Sequence, residues 1–185
     1  MPLPSIYRES LPVLLIAGLG LITAGLLLER MEGVLERTPG LLVMIPALVA
    51  LRGGISGAMG SRLGSAVHMG LIGKGNLWNE ETRQNMAAAL ILSVALSFLV
   101  GALSHFTSIL LGLESAGLAK LVLIATVAGT AAGAAQVGIT FGIILIAFRR
   151  GLDPDNVTAP SLATVGDIIT MLLLLVVSMG MGGFV

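Results

Sequence analysis

Long apolar runs, each about the length of a bilayer crossing, decide what this chain can fold into. A hydrocarbon core about 30 Å thick takes about 20 consecutive apolar residues in a helix. Five stretches qualify, at approximately 11–28, 41–69, 86–111, 121–148 and 160–181. The expected fold is all-α, a polytopic membrane protein of five transmembrane helices. Residues 1–185 are expected to form one transmembrane domain with no soluble regulatory part, because the N-terminal tail and the loops are short. Composition agrees: 56% of residues are hydrophobic and 11% charged, against about 45–50% and about 25% in soluble domains. The first run is too long for a signal-peptide core and no small-x-small cleavage site follows it, so it reads as a retained helix. The segment Lys74–Arg83 is too polar to span and is placed at the interface.

Several function classes fall away. Ten basic and ten acidic residues give a formal net charge of zero, so nothing points to nucleic acid. Cysteine is absent, which removes disulfides and thiolate metal sites. No phosphate-binding loop or hydrolytic triad is present, so no enzyme is expected. His68 and His105 read as interfacial, and no His/Glu cluster has transition-metal spacing. Arg8, Lys74, Arg83, Arg149 and Arg150 fall on one side of the membrane, against Arg30, Arg37 and Lys120 on the other. The positive-inside rule then puts the N-terminus in the cytoplasm and the C-terminus outside.

Glycine, at 25 residues, marks close helix packing. In the second run Gly53, Gly57, Ser61 and Ser65 recur every four residues, with Ser56, Gly60 and Gly64 in a parallel row. So many glycines, with Gly54 and Pro46 besides, predict a weakened or broken helix lining protein or water. In the fourth run Ala128, Ala132, Gln136 and Thr140 share one face beside Gly129 and Gly133. That row fits packing or a functional face equally.

Asp167 is the residue most able to carry chemistry. A helix starting at Pro160 puts it about 10 Å along the axis, with Thr164 and Thr170 about one turn either side. A carboxylate at that depth is costly and should serve a polar pathway for cations. The competing reading places it at the headgroups, since 168–184 alone nearly spans. Asp153, Asp155 and Asn156 either concentrate cations at a pore mouth or form a solvated turn. Arg52, deep in the second run, could repel cations as a charge gate, pair with a carboxylate, or bind backbone carbonyls.

Pro154-Asp155-Asn156-Val157, Pro160 and Gly166-Asp167-Ile168-Ile169-Thr170 resemble the last helix of the MgtE-type magnesium transporters, most of all their eukaryotic solute-carrier relatives. Pro46-Ala47-Leu48, Leu51-Arg52-Gly53 and Ser61-Arg62-Leu63 are similar to the second helix of the same family, and Glu9-Ser10 before Leu11-Pro12-Val13-Leu14 to its first. The resemblance covers essentially the whole chain. It implies a Mg²⁺-conducting pore on a two-fold axis, lined by the second and fifth helices of two units in a homodimer, or of a heterodimer with a paralogous unit. Asp167 then falls on the pore aspartate, with the Ala163 backbone carbonyl and Thr164 beside the ion. Asp155 and Asn156 fall on the mouth motif, and Gly53, Gly54, Gly57, Gly60 and Ser61 line or pack the pore. Gly54 stands where the family usually has Asn, and Ser56 where eukaryotic relatives often carry an acid, so affinity or selectivity is expected to differ. Mn²⁺ or Co²⁺ transport, and an accessory subunit paired with a similar five-helix chain, remain alternatives. The expected location is the cell membrane.

Overall fold

The computed structural model describes residues 3–73, 76–150 and 154–181, with side chains at 11–12, 14–73, 76–146, 162 and 164–181. Six helices follow one another: α1 (Leu3–Arg30), α2 (Glu32–Arg37), α3 (Leu41–His68), α4 (Glu80–Leu110), α5 (Leu118–Arg150) and α6 (Pro154–Met181). No strand occurs among the described residues. Among the described residues four stretches are long and apolar enough to cross a membrane: Leu41–His68, Glu80–Leu110, Leu118–Ile146 and Thr164–Met181. The fold is therefore an all-helical membrane bundle. The short α2 was not anticipated; it is a single polar turn-and-a-half, EGVLER, with no apolar run to announce it.

The starts of α4 and α6 and the continuity of α3 differ from expectation, each for a local reason. α4 begins at Glu80 rather than 86, because the Asn79 side chain caps it by accepting from the Thr82 amide at 2.9 Å. Glu80 and Glu81 in its first turn also favour the positive end of the helix dipole. The polar segment before the third apolar run is thus partly helix. α6 begins at Pro154 rather than at 160, since proline is as well suited to the first turn as to a preceding loop. α3 is unbroken over 28 residues, which corrects the expectation of a broken glycine-rich helix. In hydrocarbon a backbone amide freed from the helix finds no water, so continuity outweighs glycine's weak propensity.

Glycines also mark where helices stop. Gly70 and Gly112 have φ of +74° and +69°. Just after each, Leu71 donates to Ala66 O at 2.9 Å and Leu113 to Ser108 O at 2.8 Å. Both are Schellman closures that satisfy the last carbonyls.

α4 packs on α5 and α3, and α6 contacts α5, α3 and α1. α4 and α5 approach backbone to backbone at Gly101, where a Cβ would come within 2.6 Å of Val122 Cα. The core divides into two apolar clusters. One gathers Leu41, Met44, Leu48, Leu121, Ile124, Ala128 and Leu174. The other gathers Met59, Leu63, Ala66, Ala89, Val137 and Ile144. On each of α3, α4 and α5 a polar layer lies between them in sequence: Arg52 and Ser56, Ser93 and Ser97, and Gln136, all buried. A buried polar layer in a membrane bundle is the default place to look for function.

Candidate functional site: a polar layer around Asp167

Asp167 lies about 20 Å into α6, counted from Pro154 at 1.5 Å per residue. That is twice the depth expected from a start at Pro160, and close to the middle of the helix. The contact between α3 and α6 agrees. A Cβ on Gly60 would stand 3.9 Å from Leu162 Cδ1, and the two helices run in opposite senses. Five residues on from Leu162 therefore matches about five back from Gly60, near the middle of α3.

The direction of Asp167 is as informative as its depth. At 100° per residue it shares a face with Thr164, Thr170, Met171, Leu174 and Ser178. All five are buried, whereas Val165, Leu172, Val176 and Met179 form the exposed stripe on the opposite side. Asp167 is only half-buried. Its exposure therefore comes from a gap on the inward side of α6, not from a lipid-facing position. It makes no hydrogen bond or ion pair among the described residues.

The two small-residue rows of α3 have different fates. Ser56, Gly60 and Gly64 are buried inside the bundle, and Gly60 packs toward Thr140 and Leu162. In the other row Gly57, Ser61 and Ser65 are exposed and Gly53 is half-buried, with Gly54 beside it exposed. No atom lies within 4 Å of a Cβ built on Gly53, Gly54 or Gly57. Gly53 and Gly57 flank the side of α3 that carries Gly60 and so leave open space beside the α6 seam. The exposed row continues through Pro46, Ala47 and Ala50, giving a nearly side-chain-free strip along α3.

Thr164 turns toward α1. Its hydroxyl is 3.4 Å from Ala17 O, and a side chain at Gly20 would collide with its methyl group. Thr170 donates to Gly166 O at 2.7 Å. Ala163 stands one turn before Asp167 within the helix, and its side chain lies outside the described set. Asp155 and Asn156 fall in the first turn of α6 with side chains not described, and Asp153 lies outside the described residues altogether.

Arg52 takes the opposite side of α3. It is 1% exposed and donates to Ser97 Oγ at 2.6 Å and Ser93 O at 3.3 Å, both on α4. Any side chain at Gly129 or Gly133 of α5 would collide with this guanidinium or with Ser97 and Ser93. The fourth-run glycines thus form a slot for a residue of the second run. Of the three sequence readings, carbonyl binding is the contact observed. Gln136 completes the layer, donating to Leu162 O at 3.1 Å.

The serines of α4 went unnoticed in the sequence, although Ser93, Ser97, Ser104 and Ser108 lie on one helical face and all are buried. Their spacing of four, seven and four within an apolar helix was the available signal. Among the described residues no three His, Asp or Glu side chains converge, so Asp167 is not part of a closed metal cage there.

Such a bundle, with a half-buried carboxylate midway along α6 and an open glycine strip on α3, defines a multi-pass membrane protein built around a polar layer. Residues 45–177 match the MgtE family, described as a divalent cation transporter. The chain belongs to that family, which is one of transporters and not of enzymes. It is 31% identical over 179 residues to solute carrier family 41 member 3 of Rattus norvegicus, covering 92% of this chain and 38% of that protein. It is 30% identical over 176 residues to solute carrier family 41 member 2 of Gallus gallus and of Homo sapiens, covering 90% of this chain and 30% of each. The chain thus spans well under half the length of these relatives.

Proposed function

We propose that this chain is the transmembrane unit of a Mg²⁺ pathway formed where two such units meet, with α3 and α6 lining it and α1 completing five spans per unit. The observation that carries the reading is the half-exposed Asp167 on an otherwise buried face of α6, the helix that packs on glycine-rich α3. Mg²⁺ sheds water reluctantly and is usually held by one or two carboxylates together with several waters. One Asp167 from each unit supplies two. Their mutual repulsion in a narrow site is relieved by an entering divalent ion, which becomes the largest local charge. The exposed row Gly54, Gly57 and Ser61 gives the partner unit a surface of close approach.

The relatives are more than twice as long as the matched region, which leaves room in each for a second unit of this size and favours a two-unit assembly. In a homodimer the partner is a second copy; a similar five-helix chain would preserve the geometry. Five spans put the termini on opposite faces of the membrane, and the bias of basic residues puts the N-terminus in the cytoplasm, so terminal tags should be reached from opposite faces.

The test is Mg²⁺ flux into liposomes containing only this chain, with Mn²⁺ and Co²⁺ as competitors. Wild type should conduct, and Asp167→Asn should reduce flux at least about tenfold, the equivalent of about 1.4 kcal/mol, with dimer formation intact. Undiminished flux in Asp167→Asn would remove Asp167 from the pathway. Stronger flux of Mn²⁺ than of Mg²⁺ would reassign the ion, and no flux without a second chain would assign the accessory role.

A further inference from the structure

We propose that Arg52 is the fixed counter-charge of Asp167, a cation built into the far side of α3 at the level of the carboxylate, which loosens the grip of the site on a bound cation and so sets how readily the ion leaves. The proposal rests on the pathway reading above.

Two registers place the charges at one depth. Across α3 and α6, the contact between Gly60 and Leu162 puts Arg52 within about one helical turn of Asp167. Across α5 and α6, Gln136 bonds Leu162 O and abuts Gly166. Gly133, one turn from Gln136 and in contact with the guanidinium, therefore also stands near the level of Asp167. The side chains do not meet. Arg52 projects between α4 and α5, while Asp167 faces the inward gap of α6. Arg52 cannot plug the pathway or replace the ion.

Packing alone does not call for a cation in this slot. The hydrogen bonds to Ser97 Oγ and Ser93 O use only one guanidinium nitrogen. Among the described residues Nε and the other terminal nitrogen have no partner and no carboxylate touches the group. A buried charge without a contacting counter-ion is costly. The arrangement is favourable where an opposite charge at the same depth compensates it through a medium that screens weakly. Within the polar layer that charge is Asp167. In the two-unit assembly the two carboxylates and two guanidinium groups sum to zero. An entering cation is attracted at short range by the carboxylates and repelled at longer range by the two arginines. Both effects scale with the charge of the ion, so the restraint falls hardest on a divalent ion.

The experiment measures Mg²⁺ flux against Mg²⁺ concentration in liposomes for wild type, Arg52→Met, Arg52→Gln and Arg52→Lys, with unfolding midpoints in detergent. Loss of the charge should lower the half-saturating Mg²⁺ concentration about tenfold and reduce maximal flux. The logarithmic shift for a monovalent competitor should be about half as large. Arg52→Lys should keep near-wild-type half-saturation while losing as much thermal stability as the neutral variants. The two neutral variants guard against one of them failing to fold. Equal half-saturation shifts in Arg52→Lys and Arg52→Gln, tracking stability, would reduce Arg52 to a packing residue. A raised half-saturation in the neutral variants would overturn the proposal outright. Asp167→Asn separates the two ideas: undiminished flux there defeats the pathway reading itself. Lost flux there, with unchanged half-saturation in Arg52→Met, defeats only the counter-charge.

Discussion

The Gln136 carboxamide occupies the space that a side chain at Gly166 would need, so the residue before Asp167 has to be the smallest available. The same carboxamide donates to Leu162 O at 3.1 Å, which holds α6 against α5 one turn below the carboxylate. A Gly166→Ala methyl must push the amide away or push α6 off its seat. We expect a loss of about 1–3 kcal/mol, the usual cost of overpacking, and a fall in flux because Asp167 moves with its neighbour. Adding Gln136→Ala should recover part of the stability by emptying the contested space. A double-mutant cycle on unfolding midpoints checks this; strictly additive effects would show that the two residues do not compete.

Gly101 should be less forgiving still. Its would-be Cβ meets backbone, Val122 Cα at 2.6 Å and Leu121 O at 2.8 Å, and backbone cannot rotate aside. Gly101→Ala must therefore separate α4 from α5 and should destabilise more than Gly166→Ala. Gly138 is the control within α5: it is exposed with no atom within 4 Å of its built Cβ. Gly138→Ala should be neutral or gain up to about 1 kcal/mol in helix propensity. Thermal unfolding in detergent should rank the variants in that order, and a Gly101→Ala protein as stable as wild type would contradict the close crossing.

The apolar runs made the helical membrane fold legible, because hydrocarbon leaves a spanning backbone few alternatives. Asp167 was legible for the same reason, as a carboxylate inside a run that could have done without one. What the sequence could not resolve was direction. The two rows of α3 look alike in print, yet Ser56, Gly60 and Gly64 are buried while Gly57, Ser61 and Ser65 are exposed and Gly53 is half-buried. The difference arises only when α5 and α6 pack against one side of the helix. Arg52 was ambiguous because its partners, Ser93, Ser97, Gly129 and Gly133, belong to two other helices, and the four-residue spacing within each does not say which helix it faces. The start of α4 was missed through local chemistry that was readable: Asn79 three residues before Thr82, followed at once by two glutamates.

Asp155 offers a test of the entrance. It falls in the first turn of α6, where a carboxylate both favours the helix dipole and draws cations toward the pathway. Asp155→Asn should lower Mg²⁺ flux less than Asp167→Asn. The deficit should shrink as salt rises, since the Debye length falls from about 10 Å at 0.1 M to about 3 Å at 1 M. Flux measured at matched Mg²⁺ and increasing background salt decides it. A deficit that does not change with salt would assign Asp155 a structural part in starting α6.

Gly57 and Gly60 differ by one turn of α3 and should fail in different ways. Gly60 packs toward Thr140 and Leu162 of its own chain, so Gly60→Leu must disturb the fold and should lower the unfolding midpoint of the isolated unit. Gly57 has open space around it and lies in the exposed row, so a single unit should tolerate Gly57→Leu. If two units meet along that row, the added leucine prevents close approach. Gly57→Leu should then shift the particle from dimer to monomer by native mass measurement and abolish flux, while leaving the fold of each unit intact. Leu110→Ala, at a position 86% exposed, should change neither quantity. A Gly57→Leu protein that remains dimeric and conducts Mg²⁺ like wild type would place the two-fold contact elsewhere than on α3.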